Sequence, residues 1–491
     1  MDARRPGISG LALYTPRRRV RLDAWCGWTG AVPAKVEAVV GRSFRMCGPD
    51  EGVYTMAAGA VLRLLLAHEV HPDDVGMLVL ATESSTDNSA GAIIVKGMVD
   101  RALEARGLPP LSRRVEVPEV KHACLGGVYG LKQALRYVAG DGRGRRAIVV
   151  ASDVAEYARG SSGEATQGAG AVAMLVDPHA AMVEVDLERT GSAAAYRGAD
   201  FRKPARRHQM PGYHPGTRRL HDFPVFNGSY STWCYLDAVR HAFADHCLRS
   251  GVAAGQVLAG AGAVFLHRPY RWMPVQAAAT LHAVALADDP RRLAAFAEGL
   301  PPGALQVDAA VDELHADPDL YARFHEAGRS DDPAPHAREL ARRVRETPAF
   351  ARWVDERMSL GADGMCDLGN LYTAALPAWL AAGVEEAMQR GVELAGRPAL
   401  AIGYGSGDAA EVLPLRFVSG WQEAARRVAF AQALADPVDL DRAAYEALHD
   451  GRPLDGFDAP PRGGFVVDRI GQHHDDDFQD IGLEYYRFVA A

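Results

Sequence analysis

The segment Arg114-Val-Glu-Val-Pro-Glu-Val-Lys-His-Ala-Cys124-Leu-Gly-Gly-Val-Tyr-Gly-Leu-Lys-Gln-Ala-Leu-Arg-Tyr-Val138 changes its hydrophobic period part-way along. Val115, Val117 and Val120 stand among polar neighbours and read as a strand, while Tyr129, Leu131, Leu135 and Val138, beyond Gly126 and Gly127, read as a helix. Cys124 falls at the junction, at the helix N-terminus. A thiol there faces unpaired backbone N–H groups and the positive end of the helix dipole, which predicts a thiolate with a pKa below about 8.5. The same N–H groups can bind a substrate oxyanion. A lone cysteine in a glycine-rich turn is more often a buried small hydrophobe, so the neighbouring segments decide.

On the N-terminal side, the apolar run Met77-Leu-Val-Leu-Ala-Thr82 ends at Glu83, an acid at the carboxyl end of a strand, where sites on open sheets lie. On the other side, Arg146 to Asp153 reads as a short buried strand, and a small-residue loop from Tyr157 feeds a strand over 169–176. The run Ala261-Gly-Ala-Val-Phe-Leu266 ends at His267-Arg-Pro-Tyr270, placing a titratable ring where a strand stops. Gly369-Asn370-Leu-Tyr-Thr373 opens a helix through Leu380, and Ala399-Leu-Ala-Ile-Gly-Tyr-Gly-Ser-Gly407 is a strand running into a glycine turn. Strands that end in polar residues beside glycine-rich loops recur in both parts of the chain, the pattern of a duplicated α/β core. Residues 276–360, rich in Ala, Arg, Asp and Glu with recurring Leu, Val and Phe, read as a peripheral helical elaboration. Arg202, Lys203, Arg206, Arg207, Arg218 and Arg219 make 201–221 locally basic, either a phosphate or acidic-partner site or a solvated loop.

The 491 residues suffice for about three average domains or one large intertwined fold. With 48% hydrophobic and 24% charged residues and no long uncharged apolar run, the chain is expected to be soluble and cytoplasmic. A formal charge of −8 argues against general nucleic-acid binding. Six cysteines without a C-x-x-C pair or a zinc-type Cys/His spacing point to reduced thiols, with neither a metal site nor disulfides.

Eight motifs occur in one order: Glu83-Ser-Ser-Thr-Asp87, Ala123-Cys-Leu-Gly-Gly127, Gly163-Glu-Ala-Thr-Gln-Gly-Ala-Gly-Ala-Val-Ala-Met174, His221-Asp-Phe223, Asn227-Gly-Ser-Tyr-Ser231, His267-Arg-Pro-Tyr270, Gly369-Asn-Leu-Tyr-Thr373 and Tyr404-Gly-Ser-Gly407. In that order they resemble the 3-hydroxy-3-methylglutaryl-coenzyme A synthase family from about residue 6 onward. The resemblance implies a thiolase-like fold of two similar halves in a five-layered α/β/α/β/α core, residues 1–180 holding Glu83 and Cys124 and 181–491 holding His267 and Asn370. It implies Cys124 as the nucleophile that takes an acetyl group, Glu83 as the base that removes a methyl proton, and His267 as the partner of the acceptor ketone. Asn370, Ser406, Thr166, Tyr404 and Gly405 are expected around the thioester. No cofactor is expected, only acetyl-CoA or an acetyl-carrier protein as substrate, with a homodimer as the assembly.

Three positions depart from the family pattern. Leu125 stands where an aromatic residue is usual, and Val128 where a hydroxylated one is, which predicts an altered pocket beside the nucleophile, one that either admits a larger acceptor or merely repacks. Trp272 replaces a lysine that helps hold coenzyme phosphates, leaving Arg268, Arg271, Arg206 and Arg207 as candidates for the phosphopantetheine arm. The function so implied is a condensing enzyme acting on a CoA- or carrier-bound β-ketone, of either mevalonate or polyketide β-branching type. The alternatives are a thiolase-fold acyltransferase to oxygen or nitrogen, and a non-catalytic carrier-protein binder.

Overall fold

The computed structural model describes residues 5–198, 200–209, 212–215, 217, 219–452 and 463–490. Its main sheet has ten strands: β1 Gly7–Tyr14, β2 Val75–Ala81, β3 Glu119–Val120, β4 Arg146–Ala155, β5 Gly168–Asp177, β6 Val183–Val185, β7 Gly191–Ala194, β8 Ala263–Leu266, β9 Pro398–Gly405 and β10 Ala409–Phe417. The spatial order is β8-β9-β10-β6-β1-β5-β4-β2-β3, with β7 also on β10. Residues 7–177 supply one end of this order, with β2 parallel to β4 and β4 antiparallel to β5. Later residues supply the other end, with β8 parallel to β9 and β9 antiparallel to β10. β6 joins the two ends by pairing with both β1 and β10.

The central strands read as near-continuous apolar runs because both of their faces are covered. Met77, Val79 and Ala81 of β2, with Ala147, Val149 and Ala151 of β4, face the inner cluster that contains helix α3 (Gly126–Ala139). Leu78, Leu80, Ile148 and Val150 face outward, onto α1 (Val53–Ala67) and α2 (Gly91–Glu104). On the far side α4 (Ser229–Ser250) packs on β7, β9 and β10, and α5 (Met273–Ala287) packs on α4.

After α5 the helical stretch continues through Pro290–Glu298, α6 (Val307–His315), α7 (Pro335–Arg345) and Pro348–Arg357, with α7 lying on α5 and α6. Between the two parts of the sheet α3 shares its core with α8 (Ala375–Gln389), which is buried on nearly every side. Helix, sheet, helix, sheet and helix thus form five layers.

Local departures from the sequence expectation have physical causes. The strand expected over 115–120 registers only at Glu119–Val120, because Pro118 has no N–H for the ladder; its carbonyl accepts from the Leu80 amide at 3.1 Å instead. The helix expected from Asn370 begins with a 3-10 turn at Tyr372–Ala374, with Tyr372 at φ 44°, before α8. Among the described residues no helix is long and apolar enough to cross a membrane.

Candidate active site

A cavity of about 380 Å³ lies where the amino ends of α3 and α8 meet the ends of the strands, and Cys124, His267, Asn370, Thr166, Tyr404 and Ser406 all line it. Tyr157, Phe201, Phe226 and Tyr235 make its walls largely aromatic, and Trp272 lies among its lining residues beside Val39 and Val40. This is the size and character of a small-molecule site.

Cys124 lies two residues before α3, after Ala123 in the left-handed region at φ 37°. The turn is closed by the Leu125 amide donating to the His122 carbonyl at 2.9 Å. Gly405 of β9 backs this turn: a Cβ there would fall 2.7 Å from the Leu125 nitrogen and 2.8 Å from the His122 oxygen. Gly405 therefore lets the strand approach the nucleophile's turn from behind and is not among the cavity-lining residues. Leu125 and Val128 are buried in the core, where they pack against Gly403. The altered pocket expected from these two residues is corrected: neither lines the cavity, and the replacements repack the interior.

The Cys124 thiol donates to Glu83 Oε2 at 3.4 Å. Burial pushes Glu83 up to about 8, with the nearby Asp153 charge adding to the effect. The expected low thiol pKa is overturned: burial and the adjacent Glu83 charge raise Cys124 well above a free thiol, against the helix dipole. The resting pair is a protonated thiol beside a carboxyl that becomes the acceptor carboxylate as the pH rises through about 8.

Asp153, at the end of the regular pairing of β4, was missed as a functional residue. It is fully buried and accepts from the Glu83 amide (2.8 Å), the Ser84 amide (2.9 Å), Ser84 Oγ (2.7 Å) and Thr82 Oγ1 (2.9 Å). On its other oxygen it accepts from the Thr373 amide at 3.0 Å and from Thr373 Oγ1. One carboxylate thus holds the Glu83 turn against the entrance to α8. The signal was present: Asp153, like Glu83, is an acid closing an apolar run.

His267 follows β8, its amide donating to the Ile402 carbonyl at 2.7 Å and its carbonyl accepting from Tyr235 Oη at 2.8 Å. Burial lowers its pKa to about 3, so the ring is a neutral imidazole. Asn370 is held by its amide on the Thr166 carbonyl (3.1 Å), by Tyr157 Oη accepting from Nδ2 (3.3 Å), and by Oδ1 accepting from the Tyr372 amide (2.9 Å). Thr166 spends its hydroxyl on the Gly163 carbonyl at 2.8 Å. Tyr404 Oη lies 2.9 Å from Asp200 Oδ2 and 3.3 Å from Asp408 Oδ2. Asp200, Cys234 and Asp408 have their ligand-type atoms within 4.8 Å of one another, but Arg197 Nε stands 3.6 Å from Asp408 and already supplies a cation there.

The candidates for the phosphopantetheine arm separate. Arg268 is corrected: it is buried, donates to the Ala362 carbonyl (2.9 Å) and Cys366 Sγ (3.1 Å), and covers the Trp379 ring. Arg206 and Arg207 are exposed and do not line the cavity, and Arg218 lies outside the described residues. Arg219 pairs with Glu156. Arg271 is exposed and adjoins the cavity through Trp272.

Residues 3–181 match the family model described as hydroxymethylglutaryl-coenzyme A synthase N terminal. The hydroxymethylglutaryl-CoA synthase of Haloferax volcanii is 27% identical over 82% of this chain and 81% of its own, and that of Enterococcus faecalis 25% identical over 90% and 91%. The solved structure of MvaS in complex with 3-hydroxy-3-methylglutaryl coenzyme A superposes with a TM-score of 0.75 at 25% identity, covering 100% of both chains. The chain is a hydroxymethylglutaryl-CoA synthase relative. The curacin biosynthetic HMG synthase in complex with acetyl donor-ACP shares the fold, with a TM-score of 0.70 at 18% identity over 99% of this chain and 100% of its own. This synthase relative has the thiolase-like fold and belongs with condensing acyltransferases.

Proposed function

We propose that Cys124 carries an acetyl group whose methyl carbon is added to the β-ketone of an acyl thioester. The observation that carries this reading is the 3.4 Å contact from Glu83 Oε2, behind the cavity lining, to Sγ of Cys124, which lines the cavity together with His267 and Asn370. In the first step the sulfur attacks the donor's thioester carbonyl while its proton passes to Glu83, and Glu83 returns that proton to the departing donor thiol. In the second, Glu83 removes a proton from the acetyl methyl, and the resulting carbanion attacks the acceptor ketone. The neutral His267 ring donates an N–H hydrogen bond to the oxygen as it becomes an alkoxide, and the proton taken up by Glu83 is passed to that oxygen to give the hydroxyl. Water then cleaves the Cys124 thioester, releasing a β-hydroxy-β-carboxymethyl acyl product and the free thiol.

A carboxyl near 8 suits both proton transfers, because it takes a proton and returns it close to neutral pH. Simple acyl transfer to oxygen or nitrogen needs no carbanion-forming base, so Glu83 weighs against that alternative. Trp272, in place of a phosphate-binding lysine, favours a carrier-protein acceptor as a second reading, whereas the relatives at 25–27% identity are named for the CoA product. Intact-protein mass spectrometry tests both. Wild type is expected to gain about 42 Da, the mass of one acetyl group, from acetyl-CoA or from an acetylated carrier protein, and Cys124→Ser to gain none. No adduct from either donor would remove the condensing-enzyme reading.

A further inference from the structure

Four arginines lie on α7, and three of them are committed to carboxylates. Arg338 pairs with Asp332, Arg342 with Glu339 at 2.6 Å and also with Glu346, and Arg343 with Glu339 at 2.7 Å. Arg345, at the end of the helix, has no carboxylate partner among the described residues; its guanidinium stands over the Trp272 ring, 5.2 Å from the centroid. Trp272 lines the catalytic cavity. Its amide donates to the Val39 carbonyl at 3.0 Å, and the Arg271 amide to the Val40 carbonyl at 3.1 Å, so 271–272 is fixed against two further lining residues. The Arg271 side chain donates only to the Glu37 carbonyl, at 3.4 Å.

One guanidinium without a carboxylate partner, that of Arg345, therefore stands on an indole that borders the acyl cavity, while Arg271, the residue before Trp272, lies close enough to Asp363 to add to Arg42 in lowering its pKa. Stacking on an aromatic face orients a guanidinium while leaving its N–H edge free for an oxyanion, and a planar fork matches phosphate better than an ammonium does.

We propose that Arg345 binds the phosphate of the donor's phosphopantetheine arm, α7 supplying by stacking the cation that Trp272 does not. This rests on the reading of the cavity as a thioester site. The phosphate is common to CoA and to a carrier protein's prosthetic group, and the recognition is of that shared group.

The test compares S-acetyl-4′-phosphopantetheine with S-acetyl-pantetheine, which differ only in the phosphate, as donors to Cys124 in wild type, Arg345→Gln, Arg345→Lys and Arg342→Gln, by the rate of the acetyl mass shift. Arg345→Gln is expected to slow the phosphorylated donor roughly five- to tenfold, leaving the unphosphorylated donor at the wild-type rate. Arg345→Lys should recover part of the loss, and Arg342→Gln should behave as wild type. The same loss should appear with whichever of acetyl-CoA and acetyl-carrier protein the wild type uses, which separates the two sources. Equal slowing of both small donors would make Arg345 a prop for Trp272 and overturn the proposal, as would no change in either. Acetylation of wild type with no preference between them also overturns it while leaving the acylation reading intact. Failure of wild type with every donor removes the acylation reading itself, and this proposal with it.

Discussion

Glu83 and Cys124 titrate as a coupled pair: burial and the Glu83 charge raise the thiol, whereas the thiol's hydrogen bond lowers Glu83, whose own rise comes from burial and Asp153. Condensation requires the carboxylate, so its rate should rise with pH as Glu83 loses its proton, with a midpoint near 8. A pH profile of kcat/KM reads this limb directly, and Glu83→Gln should lack it. The same variant should lose condensation by roughly 10²–10⁴ yet still form acetyl-Cys124, because removing the carboxylate also removes a charge that opposes the thiolate. Product formation and the acetyl mass shift, measured on one sample, separate the two steps. Acetylation lost in parallel with condensation would make Glu83 indispensable to the first step and overturn the expectation that the thiol can be acylated without it.

At the scale of elements, the Glu83 turn and the entrance to α8 come from distant parts of the chain and meet on Asp153. Every contact made by Asp153 is as an acceptor. Asp153→Asn would turn an amide donor toward N–H groups that are already donors, at a cost of about 1–3 kcal/mol, seen as a lower Tm. It would also remove a charge that holds Glu83 up, moving the alkaline limb to lower pH. Gly405→Ala has a different cause, since its Cβ meets backbone at the Cys124 turn. It should therefore slow acetylation by displacing the nucleophile, with the cavity lining itself unchanged.

Over the whole molecule, the strands and the strand-end residues Glu83 and His267 were legible because each apolar run is bounded by polar or glycine residues. Cys124 was legible from the change of period. Tyr157 and Asp200 were not, because their roles come from Asn370 and Tyr404, hundreds of positions away, and Asp153, though visible as an acid closing an apolar run, gave no sign of its bond to Thr373. The thiol's pKa was misread for a related reason: a helix N-terminus is visible in sequence, whereas burial and a facing carboxylate appear only when the chain is folded. The sharing of one core by α3 and α8 carries its own prediction. A fragment ending at 180 would expose the apolar face of α3, so it should fail to give a soluble monomer by size-exclusion chromatography, while the full chain unfolds in one calorimetric transition.

A cysteine that keeps its proton until substrate arrives has a consequence outside catalysis. Peroxide attacks thiolates, not thiols, so Cys124, raised well above a free thiol by burial and the Glu83 charge, should resist conversion to a sulfenic acid better than an exposed cysteine does. Its chemistry is held back for acyl groups that reach the cavity, and oxidant damage should track the alkaline side of the pH scale.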